Sequence, residues 1–156
     1  MTLRLIPALH RATHEVGLFL DRRRASLPVT QAESHVLSWL VGQRGRGSMA
    51  DLHRSFGHKR STLTGIVDRL EARGLLARRV HPDDRRSFLL ELTPAGRRLG
   101  GDARRALAGL EARLVRRVGE GEAARCLAVL EALARAAGEP WLTAARAGAA
   151  ARPAGS

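Results

Sequence analysis

The stretch Lys59 to Leu76, KRSTLTGIVDRLEARGLL, restricts the fold more than any other part of the chain. Leu63, Ile66, Val67 and Leu70 recur at i, i+3, i+4 and i+7, the spacing of one buried helical stripe. Off that stripe lie Lys59, Arg60, Ser61, Thr62, Thr64 and Arg69, cations and small hydroxyls almost throughout. Such a face suits a DNA groove: guanidiniums and hydroxyls reach phosphate oxygens and base edges, and a helix N-terminus favours an anion. Gly74 is placed to end the helix as a left-handed cap.

The residues on either side fit a partner helix and a hairpin. Ser48 with Asp51 three residues on reads as an N-cap, Leu52 and Phe56 supply a buried side, and Gly57 closes the helix into a short turn. Two helices so close in sequence read as helix-turn-helix. After Gly74 the period changes to two: Leu76, Arg78 and Val80 alternate with Ala77 and Arg79, and Phe88, Leu90 and Leu92 alternate with Leu89 and Glu91. Between these strands, His81 to Ser87 carry Pro82, Asp83, Asp84, Arg85 and Arg86, a charged tip. A hairpin after a recognition helix is a wing. Arg85 and Arg86 are placed for groove or phosphate contact, with Asp84 as the carboxylate that positions them. Which arginine enters the minor groove stays open.

In this order the segments RSTLTGIVDRLEARGLLARR and HPDDRRSFLLELTPAGRRL resemble the MarR family of winged-helix transcriptional regulators. The combination of recognition helix, glycine, strand, acidic-arginine wing, strand and Leu-Thr-x-x-Gly is specific, although each piece alone is weak. With the flanking helices the resemblance runs from about Leu3 to Ala137. Two positions depart from the family pattern. Gly65 stands where a longer basic side chain is common, and His58 occupies a turn position that is usually aliphatic. Gly65 should cost the helix about 1 kcal/mol relative to Ala. The resemblance implies a two-fold homodimer made by N- and C-terminal helices, binding a pseudo-palindromic operator with half-sites roughly 10 base pairs apart. It also implies a pocket for a small aromatic or phenolic effector. His35 and Trp39, four apart on the second helix, are its candidate residues, and core packing accounts for Trp39 equally well.

Outside the motif, Leu3 to Arg24 carries Ile6, Leu9, Thr13, Val16 and Leu20 at near-helical spacing, and Pro28 lies in the break that follows. Thr30 and Glu33 form a capping box for a second helix with Val36, Trp39 and Leu40 on its apolar face, and Gly42 to Gly47 reads as a loop. Thr93 and Pro94 start a long helix whose stripe continues through Leu107, Leu110, Leu114 and Val118. Glu122 to Ala137 is a last helix, with Ala123, Leu127, Leu130 and Ala134 on one side. These terminal stripes exceed what a small winged-helix core can cover, which implies a partner surface. The expected architecture is mainly α with a small β-hairpin wing (α+β). A single domain over 1–137 holds a winged helix-turn-helix lobe, 30–92, flanked by dimerisation helices at 3–25 and 94–137, and a disordered tail is expected over 138–156.

Charge and composition narrow the partner. Lys+Arg of 27 against Asp+Glu of 15 gives a formal charge of +12, so a polyanion is expected, nucleic acid before a membrane surface. The excess is spread along the chain, and Lys59 is the sole lysine. Five aromatics, Phe19, Trp39, Phe56, Phe88 and Trp141, are too few for the stacking platforms of single-strand binders. One cysteine excludes a disulfide framework, and its neighbours Ala124, Leu127 and Leu130 suggest that Cys126 is a buried, inert thiol. No long apolar run and no signal-peptide pattern is visible, so a cytoplasmic protein without a membrane span is expected.

His10 and His14 stand four apart on the first helix, but nothing completes a metal shell, and neither metal nor cofactor is expected. There is no phosphate loop, no Cys-x-x-Cys and no His-Glu-x-x-His, so an enzyme is not expected. Arg69 has two readings, a DNA contact or an ion pair with Asp68 or Glu71. The reading that unites these features is a dimeric, sequence-specific regulator of transcription that binds double-stranded DNA, most simply a repressor released by a small molecule. A basic protein that coats DNA without an operator, or a protein-binding module on the same fold, are its rivals.

Overall fold

A computed structural model describes residues 3–80 and 88–137. Six helices and three strands follow in the order α1 (Leu5–Asp21), α2 (Gln31–Gly42), β1 (Arg46–Ser48), α3 (Met49–Phe56), α4 (Arg60–Ala72), β2 (Leu76–Val80), β3 (Phe88–Leu92), α5 (Pro94–Val118) and α6 (Glu120–Ala136). The expected wing residues Asp84, Arg85 and Arg86, and the expected tail 138–156, lie outside the described residues.

The caps read from the sequence start the helices that build the core. The Thr30 hydroxyl accepts from the Glu33 backbone N–H while the Glu33 carboxylate accepts from that of Thr30, and Ser48 and Asp51 repeat the arrangement at α3. At α5 the Thr93 hydroxyl accepts from the Gly96 N–H and donates to the Gly74 carbonyl at 2.7 Å, tying the start of α5 to the turn that ends α4. Each such cap stabilises by about 1 kcal/mol. Gly57 ends α3 with φ of 63°, in the left-handed region where a side chain is strained, and so permits the tight turn into α4. Gly74, at φ of 66°, plays the expected role after α4.

The buried stripe of α4, Leu63, Ile66, Val67 and Leu70, meets Leu37 and Leu40 of α2, Leu52 of α3, and the inward residues Leu76, Leu90 and Leu92 of the sheet in one core. α5 closes that core along α2. Its most buried residues are small, with Leu99, Leu107 and Leu110 packing beside them: a Cβ added at Gly100 would stand 3.0 Å from the Leu37 carbonyl, and Ala103 is fully buried. Close approach of the two helices therefore depends on small residues, as in other tight helix crossings.

The expected hairpin of β2 and β3 is present, and the reading of Gly42 to Gly47 as a loop is corrected: β1 joins the hairpin in a three-stranded antiparallel sheet of order β1-β3-β2. Arg46, in the segment read as a loop, pairs with Glu91, and Val80 pairs with Phe88 at the other end of β3. β1 pairs because Gly47 presses against the Trp39 ring and the Arg46 guanidinium grips the Glu91 carboxylate with Nε and a terminal nitrogen. Arg-Gly-Ser has no apolar alternation to announce a strand.

Only Phe19 and Leu20 of α1 and Ala134 of α6 are buried, whereas Leu5, Ile6, Leu9, Leu114, Val118 and Leu127 are exposed. The expected burial of Cys126 is corrected as well. Its thiol is exposed, because α6 rests mainly on α5 and Cys126 faces away from that contact. No helix among the described residues is long and apolar enough to cross a membrane.

Candidate nucleic-acid interface

α4, like the terminal helices α1 and α6, differs from α2, α3 and α5 at its first turn. Thr30, Ser48 and Thr93 each satisfy backbone N–H groups at the start of α2, α3 and α5, but the N-cap of α4, Lys59, makes no side-chain cap. Its first-turn donors are left for an outside acceptor, and a phosphate oxygen is the acceptor that the positive end of a helix suits best.

Around that uncapped end, Lys59, Arg60, Ser61, Thr62 and Thr64 are all exposed and have no side-chain partner among the described residues. Leu63, 0% exposed, and Val67, equally buried, lock the opposite face into the core and fix the direction in which the polar side chains point. The cluster is an outward-facing set of one ammonium, one guanidinium and three hydroxyls on a rigid helix. Side chains of this kind can bind phosphates through charge and base edges through directed hydrogen bonds.

The later part of α4 is arranged differently. Arg69 is exposed on the same helix, yet its Nε is turned to the Glu33 carboxylate of α2 at 3.4 Å and not to Asp68 or Glu71. Asp68 and Glu71 are both engaged by Arg78 of β2. That Asp68 hydrogen bond holds the Arg78 guanidinium above its usual value against the opposing effect of burial. Arg78 thus fastens the sheet to α4, and nothing in the spacing of the sequence pointed to Glu33 as the partner of Arg69.

Trp39 belongs to a stack at the α3–α4 turn, and His35 lies near enough to His58 at its end to feel that imidazole's charge. The Trp39 ring meets Phe56 edge-on with centroids 6.3 Å apart, and Phe56 stacks with His58 at the same separation. Burial pushes the His35 imidazole below its usual value and nearby His58 adds to the effect. A groove of about 420 Å³ lies elsewhere, lined by Ile6, Leu9, His10, Thr13 and His14 of α1 and by Gln31 of α2. Neither His35 nor Trp39 lines it. Among the described residues, no group of three or more His, Cys, Asp or Glu side chains is disposed to hold a metal ion.

A tri-helical core with a three-stranded sheet, helix α4 locked on one face and polar on the other, and long terminal helices define a winged helix-turn-helix fold. Residues 29–88 match the family model described as MarR family. Among solved structures, S. aureus MepR in complex with DNA matches with a TM-score of 0.75 at 21% identity, covering 86% of this chain and 99% of that one. The transcription regulator MarR from Oenococcus oeni PSU-1 matches with a TM-score of 0.76 at 20% identity, covering 85% and 99%. The organohalide-sensing regulator RdhR in its 2,4-dichlorophenol-bound form matches with a TM-score of 0.69 at 18% identity, covering 86% and 82%. At these identities the likeness is one of fold. No curated protein matches the chain.

Proposed function

We propose that the chain is a cytoplasmic, homodimeric regulator of transcription that binds a pseudo-palindromic double-stranded DNA operator, most simply as a repressor. The observation that carries this reading is the uncapped first turn of α4, ringed by exposed Lys59, Arg60, Ser61, Thr62 and Thr64. These residues would supply the major-groove and phosphate contacts, and Arg85 and Arg86, positioned by Asp84, would add the wing contacts. The fold neighbour from S. aureus was solved as a DNA complex, which agrees with this use of the lobe.

The dimer rests on the apolar residues that α1, α5 and α6 leave uncovered. Leu5 is 71% exposed and Leu127 53%, on helices that are otherwise the least buried parts of the fold. A second copy covering these stripes would set two recognition helices at a fixed spacing. An aromatic or phenolic effector is a natural ligand for such a protein, since the RdhR neighbour holds 2,4-dichlorophenol. Binding at or near the α1–α2 boundary would release DNA by changing the spacing of the recognition helices.

Affinity measured on duplexes selected from a random pool tests the reading. Replacing Arg85 and Arg86 together with Ala should weaken binding to every sequence by tenfold or more and reduce the log–log salt slope by about two. Thr64→Val should change base preference while leaving that slope in place. A double arginine variant with wild-type affinity would remove the wing from the interface.

A further inference from the structure

Glu33 is 3% exposed, a buried carboxylate in the first turn of α2. One oxygen accepts from the Thr30 backbone N–H at 3.0 Å and from a terminal nitrogen of Arg73 at 3.1 Å, and the other faces Arg69 Nε. Arg73 also donates to the Pro28 carbonyl just before α2. Arg69 lies in the last turn of the recognition helix and Arg73 is its C-cap. Arg69 folds back over Gly65, one of its terminal nitrogens 3.6 Å from where a Cβ would stand.

A carboxylate removed from water persists only when cations and donors oppose it. The capping box by itself does not require the charge, because a glutamine at the same position accepts the Thr30 N–H equally well. A glutamine cannot neutralise two guanidiniums. The buried charge therefore serves α4, holding two cations of the recognition helix against α2, away from the uncapped end where Lys59 and Arg60 stand.

We infer that Glu33 is a positioning residue for DNA recognition: it fixes the roll of α4 against α2 and withholds Arg69 and Arg73 from indiscriminate phosphate contact. Selectivity then rests with the first two turns of α4. The inference depends on the DNA-binding reading above.

Glu33→Gln keeps the cap and releases the arginines. Its affinity for a mixed-sequence duplex should rise several-fold, its salt slope should steepen by about one to two, and the ratio of specific to nonspecific affinity should fall about tenfold. Loss of a purely structural residue would lower the melting temperature without steepening the slope. Arg69→Gln is an independent second variant. It should lower the ratio with no change in slope, and a slope shallower by about one would make Arg69 a phosphate ligand and overturn the inference. A Glu33→Gln variant with the wild-type ratio and slope, beside a wild type that binds selectively, would overturn the inference alone. A wild type indifferent to every duplex would overturn the DNA-binding reading and this inference together.

Discussion

Arg78 of β2 donates to Asp68 on the exposed side of α4, joining two elements that the sequence separates by a turn and a change of period. Its other guanidinium nitrogen and its backbone N–H both reach Glu71. One side chain of the sheet therefore ties β2 to α4 at two points along the helix.

Arg78→Ala should lower stability by about 1 kcal/mol, since a partly buried guanidinium with two carboxylate partners is lost, Glu71 keeps only the backbone N–H of residue 78, and half-exposed Asp68 turns to solvent. Arg78→Lys should recover only part of the loss, because an ammonium cannot bridge both carboxylates as the planar fork does. Denaturant midpoints of the three proteins check this. Equal midpoints would show that the ion pairs are solvated and add nothing.

Ser34 presents the opposite situation. Its hydroxyl is fully buried on α2 and finds no hydrogen-bond partner among the described residues. Removing a buried, unsatisfied polar group relieves its desolvation cost, so Ser34→Ala should leave stability unchanged or raise it by about 1 kcal/mol. A clear loss in thermal or urea unfolding would mean that the hydroxyl is bonded in solution, for example to a trapped water.

Gly65 lies inside α4 with only the far end of Arg69 near the place of a Cβ, at ordinary contact distance. Gly65→Ala should therefore stabilise the helix by about 1 kcal/mol. Duplex binding should survive, because the added methyl neither clashes nor covers Lys59, Arg60 or Thr64. Destabilisation in urea would show that the backbone at Gly65 must depart from helical geometry.

Stability should also depend on pH through His35. Its imidazole is held below the ordinary value of 6.5 by burial first and by His58 second. The unfolded chain then binds the proton more readily than the folded one, so this contribution is present above pH 6.5 and is lost as pH falls through the folded value. Asp51 behaves alike at lower pH. Burial pushes its carboxyl up, but hydrogen bonds from Ser48 and Arg54 outweigh that and leave it below its usual value. Urea midpoints taken from about pH 8 to 5 should fall for the wild type and stay flatter for His35→Gln. Parallel curves would exclude His35 as the source.

The features legible in the sequence were those fixed by local chemistry. The i, i+3, i+4, i+7 stripe of α4, the capping boxes at Thr30 and Ser48, the turn glycines and the strands β2 and β3 all appear where the residues place them, although Val80 and Phe88 at the paired far end of the strands are exposed. What escaped depends on distant neighbours. β1 exists because Glu91 and Trp39 come to Arg46 and Gly47, and α2 ends through Arg44, a non-glycine residue at φ of 59° whose carbonyl Arg97 grips from α5. Arg69 finds Glu33 across 36 positions, which no helical spacing reports. Exposure of Cys126 follows from how little of α6 the rest of the chain covers.

Whether the outward side of α4 reads base sequence is decided by the ratio of affinities, at physiological salt, for the best duplex selected from a random pool and for a mixed-sequence duplex of equal length. The expected ratio is at least about a thousandfold, falling by tenfold or more when Arg60 and Thr64 are both replaced with Ala. Equal affinity for the two duplexes, or a ratio untouched by those replacements, would contradict it.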